Sequence, residues 1–216
     1  MTAQQKLAYY HDREMHPQLA ARYYRAFAGA RTILDLGCGT GTFGRHRPRR
    51  DIVVHGVDAD AGAVRTASAF ERAVCIDLER APLPFPDAMF DGVLAKDIFE
   101  HVQDPGRLVR EAHRVLKPQG VIVVSVVMAK PARVWADYTH VRGFTLAAAQ
   151  LLLRDAGLEI EDVWKMGPVP GARRFGLVAA VPQLLRFPLF DFLWASSWEL
   201  TARKPPTARP SESDMA

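Results

Sequence analysis

Short apolar runs alternate with amphipathic stretches along this chain, and the period of each assigns its element. Ile33-Leu34-Asp35-Leu36, Ile52-Val53-Val54-His55-Gly56-Val57, Val74-Cys75-Ile76, 90–95 and 121–127 have strand length and little polar content. Nearly continuous runs of this kind belong to strands covered on both faces. Residues 158–165 and 198–203 supply a sixth and a seventh strand. Between them lie helical periods: 3–28, with Leu7, Tyr10, Glu14, Leu19, Tyr23 and Phe27 and a break at Pro17; a short helix from Thr42 that Pro48 ends; one from Ala61, with Asp60 as its N-cap; 104–116; and 145–157. Strand and helix alternate five times, and the last two strands are joined without a helical crossover. The pattern predicts an α/β, Rossmann-like, doubly wound sheet of seven strands, six parallel and the last antiparallel, with helices on both faces. Residues 1–204 read as one domain, with 1–29 a helical cover and 168–195 an apolar insertion before the last strand. Residues 205–216, rich in proline and small polar residues, read as a disordered tail.

Composition narrows the setting. The chain has 216 residues, 49% hydrophobic and 24% charged, with net charge +4, which is ordinary for a soluble globular domain. Arg45, Arg47, Arg49 and Arg50 cluster, but no aromatic residues interleave them. The cluster therefore reads as a solvated helix end rather than a nucleic-acid surface. Cys38 and Cys75 are far apart, which implies neither a disulfide framework nor a metal site. There is no signal-peptide core and no uncharged apolar run of the ~18 residues that a membrane span needs. The expected location is cytoplasmic.

The chemistry starts where the first strand ends. Gly37, Gly39, Gly41 and Gly44 follow it and let backbone N–H groups approach a ligand closely. Gly39-x-Gly41-x-x-Gly44 by itself fits a dinucleotide site. Asp35, two residues ahead of the first glycine, would repel a pyrophosphate but would suit a ligand with an amino group. Asp58 closes the second strand 19 positions after Gly39, the place from which a carboxylate accepts from both ribose hydroxyls. Asp77-Leu78 follows the third strand, where an acid can accept from an adenine amino group and an apolar neighbour can pack on the ring.

These residues sit in longer stretches with a recognisable look. "LDLGCGTG" at 34–41, "APLPFPDAMFDGVL" at 81–94, Glu100-His101-Val102, "REAHRVLKPQG" at 110–120, the His140-x-Arg142-x-Phe144-Thr145 element and "WELTARKP" at 198–205 together resemble the class I S-adenosylmethionine-dependent methyltransferases, in particular small-molecule enzymes of the type 11 group. The resemblance implies S-adenosylmethionine as cofactor. It puts Asp35 at the methionyl amine, Gly37, Gly39 and Gly41 along the methionyl and ribose backbone, Asp58 at the ribose, and Asp77 and Leu78 at the adenine. Cys38, Thr40, Ala59, Ala95 and Lys96 complete the cofactor-binding set. Acceptor chemistry falls to Asp97, His101 and His140. Arg142 is assigned either to an acid group or to capping helix 145–157. Two positions depart from the family pattern: Lys96, where a small residue is usual, and Gln119, which replaces a glycine.

Several alternatives stay open at this level. A nicotinamide-dependent oxidoreductase shares the glycine pattern, and a non-catalytic partner protein could share the fold. His101 is either a base or a structural member of its turn. Tyr9 and Tyr10 either cover the cofactor or pack in the core. The insertion, with Leu184, Leu185, Phe187, Phe190, Phe192, Leu193 and Trp194, is either a lid for an apolar or lipid-linked acceptor, with membrane-surface contact through 175–198, or ordinary core or a homodimer interface. The expected partner is a small-molecule acceptor.

Overall fold

A computed structural model describes residues 15–67 and 72–206. Its centre is one seven-stranded sheet. The strands are β1 (Thr32–Leu36), β2 (Val53–Asp58), β3 (Arg72–Cys75), β4 (Phe90–Lys96), β5 (Leu116–Val127), β6 (Glu159–Met166) and β7 (Ser197–Arg203). Their order is β3-β2-β1-β4-β5-β7-β6. β7 runs antiparallel to both β5 and β6, so the other six strands point one way, as the sequence pattern predicts. The order reverses between β1 and β4, and in open α/β sheets ligands bind at that switch point, outside the carboxyl ends of the strands.

Alternation along β1 sorts side chains to the two faces. Leu34 and Leu36 join the larger core cluster, with Phe90, Val93, Phe99 and the helices α3 (Pro105–Val115) and α5 (Leu146–Asp155). Ile33 joins the opposite cluster, under α1 (Pro17–Ala26). In α1, Pro17 occupies the first turn and the His16 ring accepts from the Gln18 N–H. Pro17 thus opens the helix instead of breaking it, because its missing N–H is one that a first turn leaves unbonded anyway. Phe27 then packs on β4 at Gly92, where an added Cβ would come within 2.6 Å of its ring. Residues 1–14, with Tyr9 and Tyr10, lie outside the described residues, as do 207–216.

The structure corrects the expected elements in four places. No helix follows the glycine loop: only a single 3-10 turn, Gly44–His46, forms before Pro48. Gly41 is left-handed there, with φ of 80°, and Phe43 is held by stacking on Tyr24 at 4.3 Å, so no helix end is aimed at the loop. Helix α5 is capped by the Thr145 hydroxyl, which accepts from the Ala148 N–H at 3.1 Å. Arg142 instead donates to the Gln103 carbonyl at 2.8 Å. β3 lies at Arg72–Cys75, two residues earlier than expected at its start. The loop after β5 contains a short helix, α4 (Pro131–Val134). The Ala61 helix is present as α2 (Ala61–Thr66), with Asp60 accepting from the Gly62 and Ala63 N–H groups.

The insertion folds as two short helices, α6 (Val181–Leu184) and α7 (Pro188–Trp194). Leu185 is buried in a small cluster with Met128, Ala172, Val181 and Ala195. Phe187, Leu189, Phe192 and Leu193 are exposed, Phe192 by 79%. Lys130 anchors the insertion by donating to the Asp191 and Ala195 carbonyls, and Lys165 pairs with Asp191. No helix among the described residues is long and apolar enough to cross a membrane.

Candidate active site

The loop after β1 is folded over the end of β2 by its own backbone. Gly37 and Cys38 both donate to the Val57 carbonyl, at 2.9 and 3.0 Å. Gly39 donates to one Asp58 carboxylate oxygen at 2.8 Å, and Asp60 donates to the other at 2.9 Å. Gly37, Gly39 and Gly41 all have positive φ, a conformation that a side chain would strain. Asp58 is thereby fixed at the head of β2, and each oxygen keeps a lone pair for a further donor. The Arg45 guanidinium donates to the Thr40 carbonyl and braces the loop from outside. The Cys38 side chain is buried in the cluster under α1, and burial raises its thiol pKa, so Cys38 offers only its backbone.

Asp35 is 4% exposed, and none of the described residues donates a hydrogen bond to its carboxylate. Burial, and next the Asp58 charge, push its pKa up to about 7, against the pull of Lys96. A buried carboxylate beside bare backbone, with no donor among the described residues and a second carboxylate at the next strand end, suits a ligand with a cationic group and a vicinal diol. Those are the features of S-adenosylmethionine, and the residues present fit it. Ala59 is exposed beside Asp58. Asp77 lies just beyond β3 and accepts from the Glu79 N–H at 2.9 Å. Leu78 turns its side chain into the core, at 4% exposure. Ala95 is buried in β4.

Lys96 and Asp97 end β4 as an ion pair. Burial opposes the Lys96 charge, but Asp97, followed by Glu199 and Glu100, outweighs it and raises the Lys96 pKa. Asp97 is left-handed, with φ of 52°. Burial works against its ionised form too, yet Lys96 and the Ser125 hydroxyl hold its pKa below the usual carboxylate value. The Lys96 charge, which departs from the family pattern, is therefore balanced within the protein by Asp97. Behind Asp97 the network continues inward. The Ser125 hydroxyl lies 2.6 Å from Asp97 and 2.9 Å from Glu199. Tyr23 donates to the other Glu199 oxygen at 2.9 Å. One hydroxyl hydrogen cannot serve two carboxylates. Burial and the Asp97 charge raise Glu199 to about 7, so of the two carboxyls Glu199 takes a proton first as pH falls.

His101 and His140, which are 39 positions apart in the chain, stand with ring centroids 4.7 Å apart. Glu100 is 1% exposed, and its Oε2 has no hydrogen-bond partner among the described residues. Burial, then Asp97, push its pKa up to about 8. Burial and the neighbouring His140 lower that of His101. The two loops are clamped together by the Val141 N–H donating to the Glu100 carbonyl at 2.9 Å and by Arg142 donating to Gln103. His140 also reaches the insertion indirectly: its Nδ1 bonds the Val134 carbonyl in α4 at 2.8 Å, and Arg133 of the same helix donates to the Leu193 carbonyl in α7.

The structure therefore gathers Asp97, His101 and His140 at one end of the sheet, next to the Asp35–Asp58 cradle. Sequence reasoning missed Glu100, Ser125, Glu199 and Tyr23. Glu100 lay in view beside His101. The other three gave no signal beyond a polar residue in an apolar run. A shallow cleft of about 290 Å³ lined by Phe27, Asp91, Lys117 and Arg203 opens at the opposite, amino-terminal end of the parallel strands.

Residues 34–124 match a family model described as "Methyltransferase domain". A ubiquinone biosynthesis O-methyltransferase from Pseudomonas paraeruginosa is 31% identical over 164 residues, 64% of this chain and 69% of that protein. A solved structure of a SAM-dependent methyltransferase from Archaeoglobus fulgidus superposes with TM-score 0.66 at 19% identity, covering 87% of this chain and 92% of that one. The structure of the [4+2]-cyclase SpnF superposes with TM-score 0.65 at 26% identity, covering 88% and 82%, so the architecture alone does not fix the reaction.

Proposed function

Because the chain belongs to the S-adenosylmethionine-dependent methyltransferases, we propose that it moves the methyl group to an oxygen of a small, largely apolar hydroxylated acceptor. The observation that carries the cofactor half is the buried Asp35 carboxylate beside the glycine turn, which takes no hydrogen bond from the described residues. Asp35 would hold the methionyl ammonium, the backbone of 37–41 would lie along the methionyl and ribose portions, Asp58 would take the ribose hydroxyls, and Asp77 the adenine amino group. Ala59, Ala95 and Lys96 would border the cofactor.

The bound cofactor supplies a methyl group on a sulfonium, a leaving group that needs no further activation. The chain's own work is to position the acceptor and exclude water. With the cofactor held there, sulfur would keep the electron pair of the carbon–sulfur bond as the methyl passed to the acceptor oxygen. The hydroxyl proton leaves the acceptor, and His140, His101 and Asp97 border the space where it must go. An oxygen acceptor is favoured because the 31%-identical relative is an O-methyltransferase. An apolar one is favoured because α7, tied to the His140 loop through Arg133, presents Leu189, Phe192 and Leu193 to solvent. The same face, flanked in sequence by Arg173, Arg174 and Arg186, suits contact with an anionic membrane surface. Co-sedimentation with anionic vesicles tests that contact, and self-association through the face would appear instead as a dimer in sedimentation.

The main experiment is calorimetric titration with S-adenosylmethionine and, separately, NADH, followed by transfer of labelled methyl to a panel of phenols and aliphatic alcohols. Stoichiometric S-adenosylmethionine binding and label on oxygen are expected. NADH binding without a response to S-adenosylmethionine would overturn the reading.

A further inference from the structure

Glu100, His101 and His140 each bring one donor atom to a common point, and these atoms all lie within 4.8 Å of one another. What surrounds the two rings decides which nitrogen each can offer. The Thr139 hydroxyl donates to Asp137 at 2.7 Å. Its hydrogen is thus committed, and at 3.0 Å from His101 Nδ1 it can only accept. His101 therefore carries its proton on Nδ1 and has a lone pair on Nε2. His140 Nδ1 faces the Val134 carbonyl at 2.8 Å, which can only accept, so its Nε2 also carries a lone pair. Both imidazoles are locked in the tautomer of a metal ligand, with the second nitrogen bonded to an oxygen acceptor as ligating histidines almost always are. The third member is a carboxyl group 1% exposed, with one oxygen that has no partner among the described residues, an expensive arrangement for a group that has nothing to bind. Both rings are half-buried, which leaves a path for an ion.

We propose that Glu100, His101 and His140 bind a divalent first-row metal ion, with positions left open for the acceptor. Two imidazoles and one carboxylate favour zinc, iron or nickel over magnesium or calcium. A centre with bonds of ~2.1 Å holds its donors about 3.0–3.4 Å apart, so the three donors, now within 4.8 Å of one another, draw together on binding. Asp97 is excluded from the set because Lys96 and Ser125 occupy it. The metal site stands on its own geometry. Its use rests on the reaction proposed above: a hydroxyl oxygen on the ion loses its proton at a lower pH, so neither histidine has to act as a base. The cysteines that argued against a metal in the sequence take no part.

The test uses the full chain, stripped with a chelator and titrated with Co²⁺ followed by visible absorption, with Zn²⁺ as competitor. One equivalent of each metal is expected at one shared site. His101→Gln and His140→Gln should each weaken binding at least tenfold, and the pair should abolish it. Thr139→Val, which leaves the ligands in place but frees the His101 ring, should weaken it about tenfold to a hundredfold. Both histidines are half-exposed, so these variants carry the test even if Glu100→Gln does not fold. Absence of saturable binding, or binding unchanged in the double histidine variant, would overturn the site. S-adenosylmethionine affinity measured on the same samples separates the two proposals: a chain that binds cofactor but no metal refutes the metal site alone, and one that binds metal but no cofactor refutes the cofactor reading alone.

Discussion

Replacing Asp35 by Asn should make the free protein more stable and a poorer cofactor binder. The folded chain holds the Asp35 carboxyl at about 7, against an ordinary value of 3.8. The folded state thus keeps a proton that the unfolded state has already lost. Linkage then fixes the sign: the stability of the free protein falls as pH rises through about 4 to 7, and the loss is complete above 7. At about 1.4 kcal/mol per tenfold difference in proton affinity, the buried charge costs about 4 kcal/mol at pH 8. Asn removes it with little change in shape. For a chain of this size the melting temperature should rise by about 5–15 °C at pH 8, while variant and parent converge towards pH 4. Glu100 and Glu199 are raised in the same direction, so only the difference between variant and parent is diagnostic. Cofactor affinity should fall more than tenfold, since a charge-assisted hydrogen bond worth about 1.5–3 kcal/mol is lost. In the parent, affinity should weaken as pH drops below 7, because the protonated acid cannot hold an ammonium. Differential scanning fluorimetry from pH 4 to 9 and calorimetry at pH 8 read both effects. A variant less stable than the parent at pH 8, or one that binds cofactor undiminished, would refute the reasoning.

Other parts of the structure give further expectations. Asp58→Ala should weaken cofactor binding by about 1–3 kcal/mol through lost hydrogen bonds to the ribose, measured by calorimetry; unchanged affinity would remove the ribose from β2. Tyr23→Phe should cost about 1–3 kcal/mol in denaturant unfolding, because Glu199 Oε2 loses the Tyr23 hydroxyl, and a neutral result would mean that the Ser125 and Ser197 hydroxyls on its other oxygen suffice. Gly167→Ala should destabilise the docking of α7, since an added Cβ would sit 1.8 Å from the Trp194 carbonyl; limited proteolysis within 168–195 should accelerate, and unchanged cleavage would count against the contact.

How much of this was legible in the sequence depended on distance along the chain. Asp35, the glycines and Asp58 lie in one β-loop-β unit, where spacing dictates position, and they were readable. Gln119 marks the limit of reading by resemblance. It replaces a glycine yet keeps the left-handed backbone, with φ of 66°, because Gln119 and Gly120 exchange backbone bonds with Lys204 at 2.9 Å. That partner lies far down the chain. The Thr42 helix failed because neither the left-handed Gly41 nor the Tyr24–Phe43 stack shows in a local hydrophobic pattern. Ser125 and Glu199, 74 positions apart, meet only because β7 is inserted beside β5. The histidine pair needs the His140 loop to fold back onto the end of β4. Periodicity assigns elements, but the contacts between loops belong to topology.

That placement of β7 has a further meaning for how the molecule assembles. Strands β1 to β5 can zip up in the order in which they are made, apart from the short reversal at β4. β6 cannot follow them, because its neighbour comes later in the chain, and the two must arrive together as a hairpin that also delivers Glu199. A nascent chain halted before residue 197 would have most of its core and an unzipped edge along β5, with Ser125 and Tyr23 both missing their shared carboxylate.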